Sequence, residues 1–190
     1  LNDGKEILFR SERNGWGHYY LYDTATGNLK NQVTDGTWVA GPIAKIDTVR
    51  RKIYFYGYGR EKEIAPYYYI LYEAQLDRSN TLRLLTSENA SHEVSISPSC
   101  RYLVDSYSTV SQEPVNVVRN RNGKIIMTLE KPDLQPVYEM GWKAPERFKV
   151  KAADGVTDLY GVMWKPADFD STKVYPIISN VYPGPFFEYV

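Results

Sequence analysis

Short strand-like runs recur through the first 130 residues at a drifting interval, and that repeat limits the available folds more than any composition does. Val33-Thr34, Leu85-Thr86 and Met127-Thr128 mark equivalent places, with the threonines 52 and 42 residues apart, and Tyr22 and Tyr72 stand 50 apart. Around these marks lie three groups of runs rich in aromatic and β-branched residues. The first holds Lys5–Arg10, Tyr19–Asp23 and Asn28–Val33. The second holds Lys52–Tyr56, Tyr67–Ala74 and Thr81–Leu85, and the third Tyr102–Ser106, Val115–Arg119 and Lys124–Met127. Turn chemistry such as Thr24-Ala25-Thr26-Gly27 separates them, which reads as an all-β module. A repeat of about 40–50 residues with several strands per unit is the signature of a β-propeller. One blade cannot bury both its faces, so each stacks on its neighbours. Closure needs about 4–8 blades; three repeats predict an open arc of about three blades.

The pattern breaks near residue 130. Residues 131–145, opening with Lys131-Pro132-Asp133-Leu134-Gln135-Pro136, read as a connector, with one or two helical turns over Leu134–Trp142. Strands are then expected at Glu146–Lys151, Asp158–Trp164 and Tyr175–Val181. This last segment is too short for a core of its own and reads as the edge of an unfinished sheet. Net charge is zero, from 23 basic and 23 acidic residues without a basic block, so no nucleic-acid partner is expected. No apolar run reaches the roughly 18 residues of a membrane helix. Both ends look cut: the chain enters a strand almost at once and closes on apolar Phe186-Phe187-Glu188-Tyr189-Val190.

Ser11-Glu12-Arg13-Asn14-Gly15-Trp16-Gly17-His18-Tyr19-Tyr20-Leu21-Tyr22-Asp23 resembles a late propeller strand pair of the dipeptidyl peptidase IV family, within the prolyl oligopeptidase clan of serine peptidases. Thr34-Asp35-Gly36-Thr37-Trp38-Val39 is similar to a following segment of that family, with Val39 one place early. Lys151-Ala152-Ala153-Asp154-Gly155, Leu159-Tyr160-Gly161, Lys165-Pro166, Phe169-Asp170, Tyr175-Pro176 and Val181-Tyr182-Pro183-Gly184-Pro185 follow in the family's order. The resemblance implies residues 1–130 as the C-terminal part of a propeller and 146–190 as the first strands of an α/β-hydrolase catalytic domain. It implies a fragment of an exopeptidase releasing N-terminal dipeptides, often after Pro or Ala, with tripeptide release as a variant. The implied parent is periplasmic or extracellular, takes a peptide substrate, needs no cofactor or metal and allows a homodimer. It also makes Tyr182 the hydroxyl that stabilises the oxyanion in the parent; the alternative is a core tyrosine before a turn.

The implied triad is missing from this chain. There is no G-x-S-x-G elbow, and the two histidines, His18 and His92, both lie in the propeller part. A nucleophile without a base is inert, so the chain alone is expected to be inactive. His18 and His92 read as hydrogen-bonding structural residues, 74 apart with no carboxylate pattern suited to a metal. Cys100, next to Arg101, reads as structural rather than as an activated thiol. Tyr67-Tyr68-Tyr69 reads as blade packing rather than a sugar or peptide platform. Arg60-Glu61-Lys62-Glu63 reads as a solvated loop tip, and Trp16, Trp38, Trp142 and Trp164 as packing residues. A non-catalytic propeller scaffold for protein or glycan binding is the competing reading, and a pseudoenzyme a third. The break at residue 130 counts against the scaffold, which would continue to ring closure.

Overall fold

The structure, a computed structural model, describes residues 1–79 and 81–181. Its described residues form thirteen strands and one five-residue helix. Consecutive strands pair as antiparallel neighbours in three successive sheets. The first is β1 (Glu6–Ser11), β2 (His18–Asp23) and β3 (Leu29–Gln32). The second is β4 (Val39–Asp47), β5 (Lys52–Tyr58), β6 (Ile70–Gln75) and the two-residue β7 (Arg83–Leu84). The third is β8 (Ser91–Ile96), β9 (Tyr102–Thr109), β10 (Gln112–Asn120) and β11 (Ile125–Glu130). These are the blades of an open propeller arc. Their turns follow local chemistry: between β2 and β3, Asp23 Oδ1 accepts from Ala25 N and Thr26 N at 3.1 and 2.9 Å, and Gly27 closes the turn at φ +71°.

Burial reports how the blades stack. Alternate strand residues point to opposite faces, so a strand buried on consecutive residues is covered on both sides. Ile53, Tyr54 and Phe55 of β5 are buried in succession, as are Ile70, Leu71 and Tyr72 of β6. Tyr54 and Leu71 pack with Leu85, Val94, Cys100 and Leu103 of the third blade and its approaches. Phe55 and Tyr72 face the other way, Phe55 stacked on Trp38 at a centroid distance of 6.3 Å and Tyr72 tilted against it at 5.7 Å, and Tyr19 meets Phe55 edge-on at 5.7 Å. Burying side chains of this size stabilises by about 1.5–3 kcal/mol each. The end blades are covered less completely: His18 to Leu21 of β2 are buried in succession, but other strands keep an open face. In β9 Leu103 and Asp105 are buried while Tyr102 and Val104 are exposed, and in β1 Ile7 and Phe9 are half exposed.

The repeat is visible as a backbone clip. Val33 N and Leu85 N each donate to a strand carbonyl, of Tyr19 and Leu71, at 2.9 Å. The threonine that follows accepts, at Oγ1, the N–H of the same strand residue: Tyr19 N to Thr34 at 3.0 Å, and Leu71 N to Thr86 at 2.9 Å. Both threonines are buried. The third mark departs from this. Thr128 lies within β11 opposite Val117, beside two register shifts, and Met127 is exposed. The clip also sets Tyr72 against Tyr20 rather than against Tyr22, so the fifty-residue tyrosine spacing was two residues out of register.

Other expectations need correction. β4 went unrecognised because Gly41 and Pro42 interrupt its alternation; its pairing with β5 shifts register between Ala40 and Ile43 and again between Ile43 and Lys45. Tyr67–Tyr69 precede β6 instead of beginning it, after Pro66. Tyr175–Val181 is not a strand: no strand pairs with it among the described residues, and Ile177 and Ile178 are almost fully exposed.

The described chain divides into two compact units, Leu1–Ser108 with Pro114–Lys131, and Thr109–Glu113 with the residues from Pro132 on. The second contains α1 (Gln135–Glu139) and one antiparallel hairpin, β12 (Glu146–Lys151) and β13 (Asp158–Met163). The hairpin is two-faced. Phe148, Val150, Leu159 and Met163 share one side, with the Phe148 ring so close to Gly161 that a Cβ there would meet it at 2.3 Å. Lys149, Lys151 and Asp158 occupy the other and form ion pairs.

The clip makes the three repeat marks experimentally unequal. Thr34→Val and Thr86→Val keep the shape but leave a buried N–H unpaired, so each should cost about 1–3 kcal/mol in urea unfolding. Thr128→Val, on an exposed strand, should be nearly neutral; equal losses at all three positions would refute the distinction.

Candidate functional site

Tyr182, the one catalytic candidate of the sequence, lies outside the described residues. The remaining candidates resolve into structural roles. His18 opens β2 fully buried. Its Nε2 lies 2.9 Å from Gly36 O, an acceptor only, so Nε2 carries the proton, and Nδ1 then accepts from the Thr34 hydroxyl at 3.1 Å. Trp38 meets the ring edge-on at 5.2 Å. With both nitrogens engaged, His18 has no lone pair to offer a nucleophile, which general-base catalysis requires.

His92 lies in a cluster that the sequence did not disclose. It is buried in β8, with Nδ1 3.0 Å from each Asp105 oxygen and Nε2 3.3 Å from Glu88 O. Arg119 of β10 donates through Nε to Asp105 Oδ2 at 2.7 Å and through Nη2 to Glu88 Oε2 at 2.8 Å. Its Nη1 donates to Gly123 O at 3.0 Å. Asp105 and Arg119 are buried and Glu88 is partly exposed. Burial is the largest single influence on the Glu88 carboxyl and works to raise it, but the Arg119 hydrogen bond and charge, together with backbone hydrogen bonds, outweigh it and hold the group below its usual range. Glu88, His92 and Asp105 have the ligand types and proximity of a metal site. A cation is already there, however: the guanidinium engages both carboxylates, and its charge would repel a divalent ion. The cluster therefore locks the link before β8 to β9 and β10. Glu88 and His92 lie 4 positions apart, but Asp105 and Arg119 follow His92 by 13 and 27 and come from separate strands, so no local spacing announces the cluster.

A second ionic cluster joins the first two blades. Glu6 of β1 is buried, accepts from Arg51 Nη1 at 2.6 Å and pairs with Lys30. Arg51 also grips Asp77 through Nε at 2.8 Å and Nη2 at 2.5 Å. The Arg51 hydrogen bond, then that of Lys30, keeps the Glu6 carboxyl below its ordinary value despite burial.

Cys100 is buried at φ +54° in the turn before β9, and burial, then the Asp47 charge, pushes its thiol up. That is the opposite of activation. The loop tip is solvated at Arg60, Lys62 and Glu63; Arg60 also lies over the Trp38 and Tyr72 rings at about 6 Å, and Tyr72 OH donates to the half-buried Glu61 at 3.1 Å. Tyr68 is buried, as blade packing expects. Of the tryptophans, Trp38 alone is a core residue; Trp16, Trp142 and especially Trp164 are exposed.

Removing one partner of a buried ionic group typically costs about 3–5 kcal/mol, so Arg119→Met should destabilise by that amount in chemical denaturation, while EDTA should leave the melting temperature unchanged. A melting temperature lowered by EDTA would mean that an ion occupies the cluster. The depressed Glu6 carboxyl contributes stability that is complete above its unfolded value of about 4.3 and is lost as pH falls through its lower folded value. The stability gap between the wild type and Glu6→Gln should therefore be constant near pH 6–7 and close on acidification below about pH 4; a gap independent of pH would exclude an ionised Glu6.

Residues 1–114 match the family model of the dipeptidyl peptidase IV N-terminal region. Dipeptidyl peptidase 8 of Homo sapiens is 25% identical over an alignment covering 95% of this chain and 23% of the relative. Dipeptidyl peptidase 4 of Arthroderma otae is 28% identical, with 96% and 24% covered. A crystal structure assigned to a dipeptidyl aminopeptidase IV of Bacteroides ovatus superposes with a TM-score of 0.67 at 26% identity, over 90% of this chain and 26% of that one. The chain thus spans about a quarter of the length of these relatives. With more than half its residues under the family model and blades to match, it belongs to the dipeptidyl peptidase IV family.

Proposed function

We propose that this chain is a fragment of a serine exopeptidase that releases N-terminal dipeptides from peptides, preferring Pro or Ala before the cleaved bond, and that it contributes the last blades of the propeller and the first strands of an α/β-hydrolase domain. The observation that carries the reading is the extent of the alignments. They run through 95% or more of the chain, past the last blade and into the second unit, in relatives named dipeptidyl peptidases. The two-faced β12–β13 hairpin supports a hydrolase beginning, because a two-stranded ribbon is at best marginally stable alone and this one has an apolar side suited to a larger sheet. The exposed apolar run Tyr175–Val181 would gain its missing hydrogen bonds by joining such a sheet. The parent would act in the periplasm or outside the cell.

On this reading the chain contributes substrate-side architecture and one electrostatic group. Acyl transfer puts negative charge on the carbonyl oxygen, and a preorganised hydroxyl donor lowers that barrier. In Val181-Tyr182-Pro183-Gly184-Pro185 the prolines fix φ at two positions while Gly184 tolerates a sharp bend, a sequence suited to holding Tyr182 in one place. Proton transfer falls to residues outside this chain, since both of its histidines are structurally committed.

Two measurements test this. The chain alone should not release nitroaniline from a Gly-Pro anilide; turnover blocked by a fluorophosphonate would overturn the fragment reading. In the full-length parent, Tyr182→Phe removes only the hydroxyl and should lower kcat about 10²–10³-fold, with a smaller change in substrate binding and an unaltered melting curve. Wild-type kcat with normal stability would reduce Tyr182 to a packing residue.

A further inference from the structure

We draw no further inference here: the strongest candidate, the buried Glu88–His92–Asp105–Arg119 cluster between the second and third blades, belongs to the blade junction already described, and the Arg119 guanidinium fills the place that a bound cation would take among its oxygens.

Discussion

A sheet with apolar residues on both faces must be covered on both sides, and this requirement governs the whole first unit. The middle blade meets it. Phe55 and Tyr72 turn toward the first blade, and Tyr54 and Leu71 toward the third, so neighbouring residues of one strand belong to different cores. Each end blade keeps exposed apolar residues, Ile7 and Phe9 of β1 at one end and Tyr102 and Val104 of β9 at the other. An arc is the shape that stacking alone produces, and it has no internal reason to stop at three members.

Apolar stacking is non-directional, so something else must fix the register between blades. The ionic clusters are placed to do so. Arg51 reaches from the turn after β4 to Glu6 of β1 and to Asp77 beyond β6. Arg119 joins Asp105 to Glu88, and Arg83 of β7 reaches Glu73 within its blade and Asn122 of the next. Burying these charges costs free energy that their pairing only partly recovers, so their contribution is better sought in uniqueness of packing than in gross stability. A blade displaced by one residue would keep much of its apolar burial but would leave Glu6 or Asp105 buried and unpaired.

How much was legible in the sequence follows from the range of each interaction. Strands with unbroken alternation or compact turns were readable: β12 was expected at its observed bounds, and β1, β2 and β5 within two residues. The Thr34 and Thr86 marks were readable because a clip needs the same residue at the same offset in each blade. β4 was hidden by Pro42, and Tyr175–Val181 was misread because its composition favours a strand whereas a strand requires a partner. The Asp105–Arg119 cluster was unreadable for a different reason: its members come from separate strands and a linker, and only the stacking of sheets brings them together.

The committed histidines bear on the division of labour within the family architecture. A catalytic imidazole must exchange a proton at one nitrogen while the other is held by an orienting group. His18 spends one nitrogen on Gly36 O and the other on Thr34, and His92 faces Asp105 and Glu88 O with no opening for a substrate. His92 and Asp105 have the pairing found in a triad, yet the other ring nitrogen meets the Glu88 carbonyl where a triad has a nucleophile, and the Asp105 carboxylate is shared with the Arg119 guanidinium. The same residue types can thus serve a blade junction or a catalytic centre, and the deciding difference is whether one ring nitrogen is left open. In the described propeller neither histidine is, so both serve the packing of the blades rather than proton transfer.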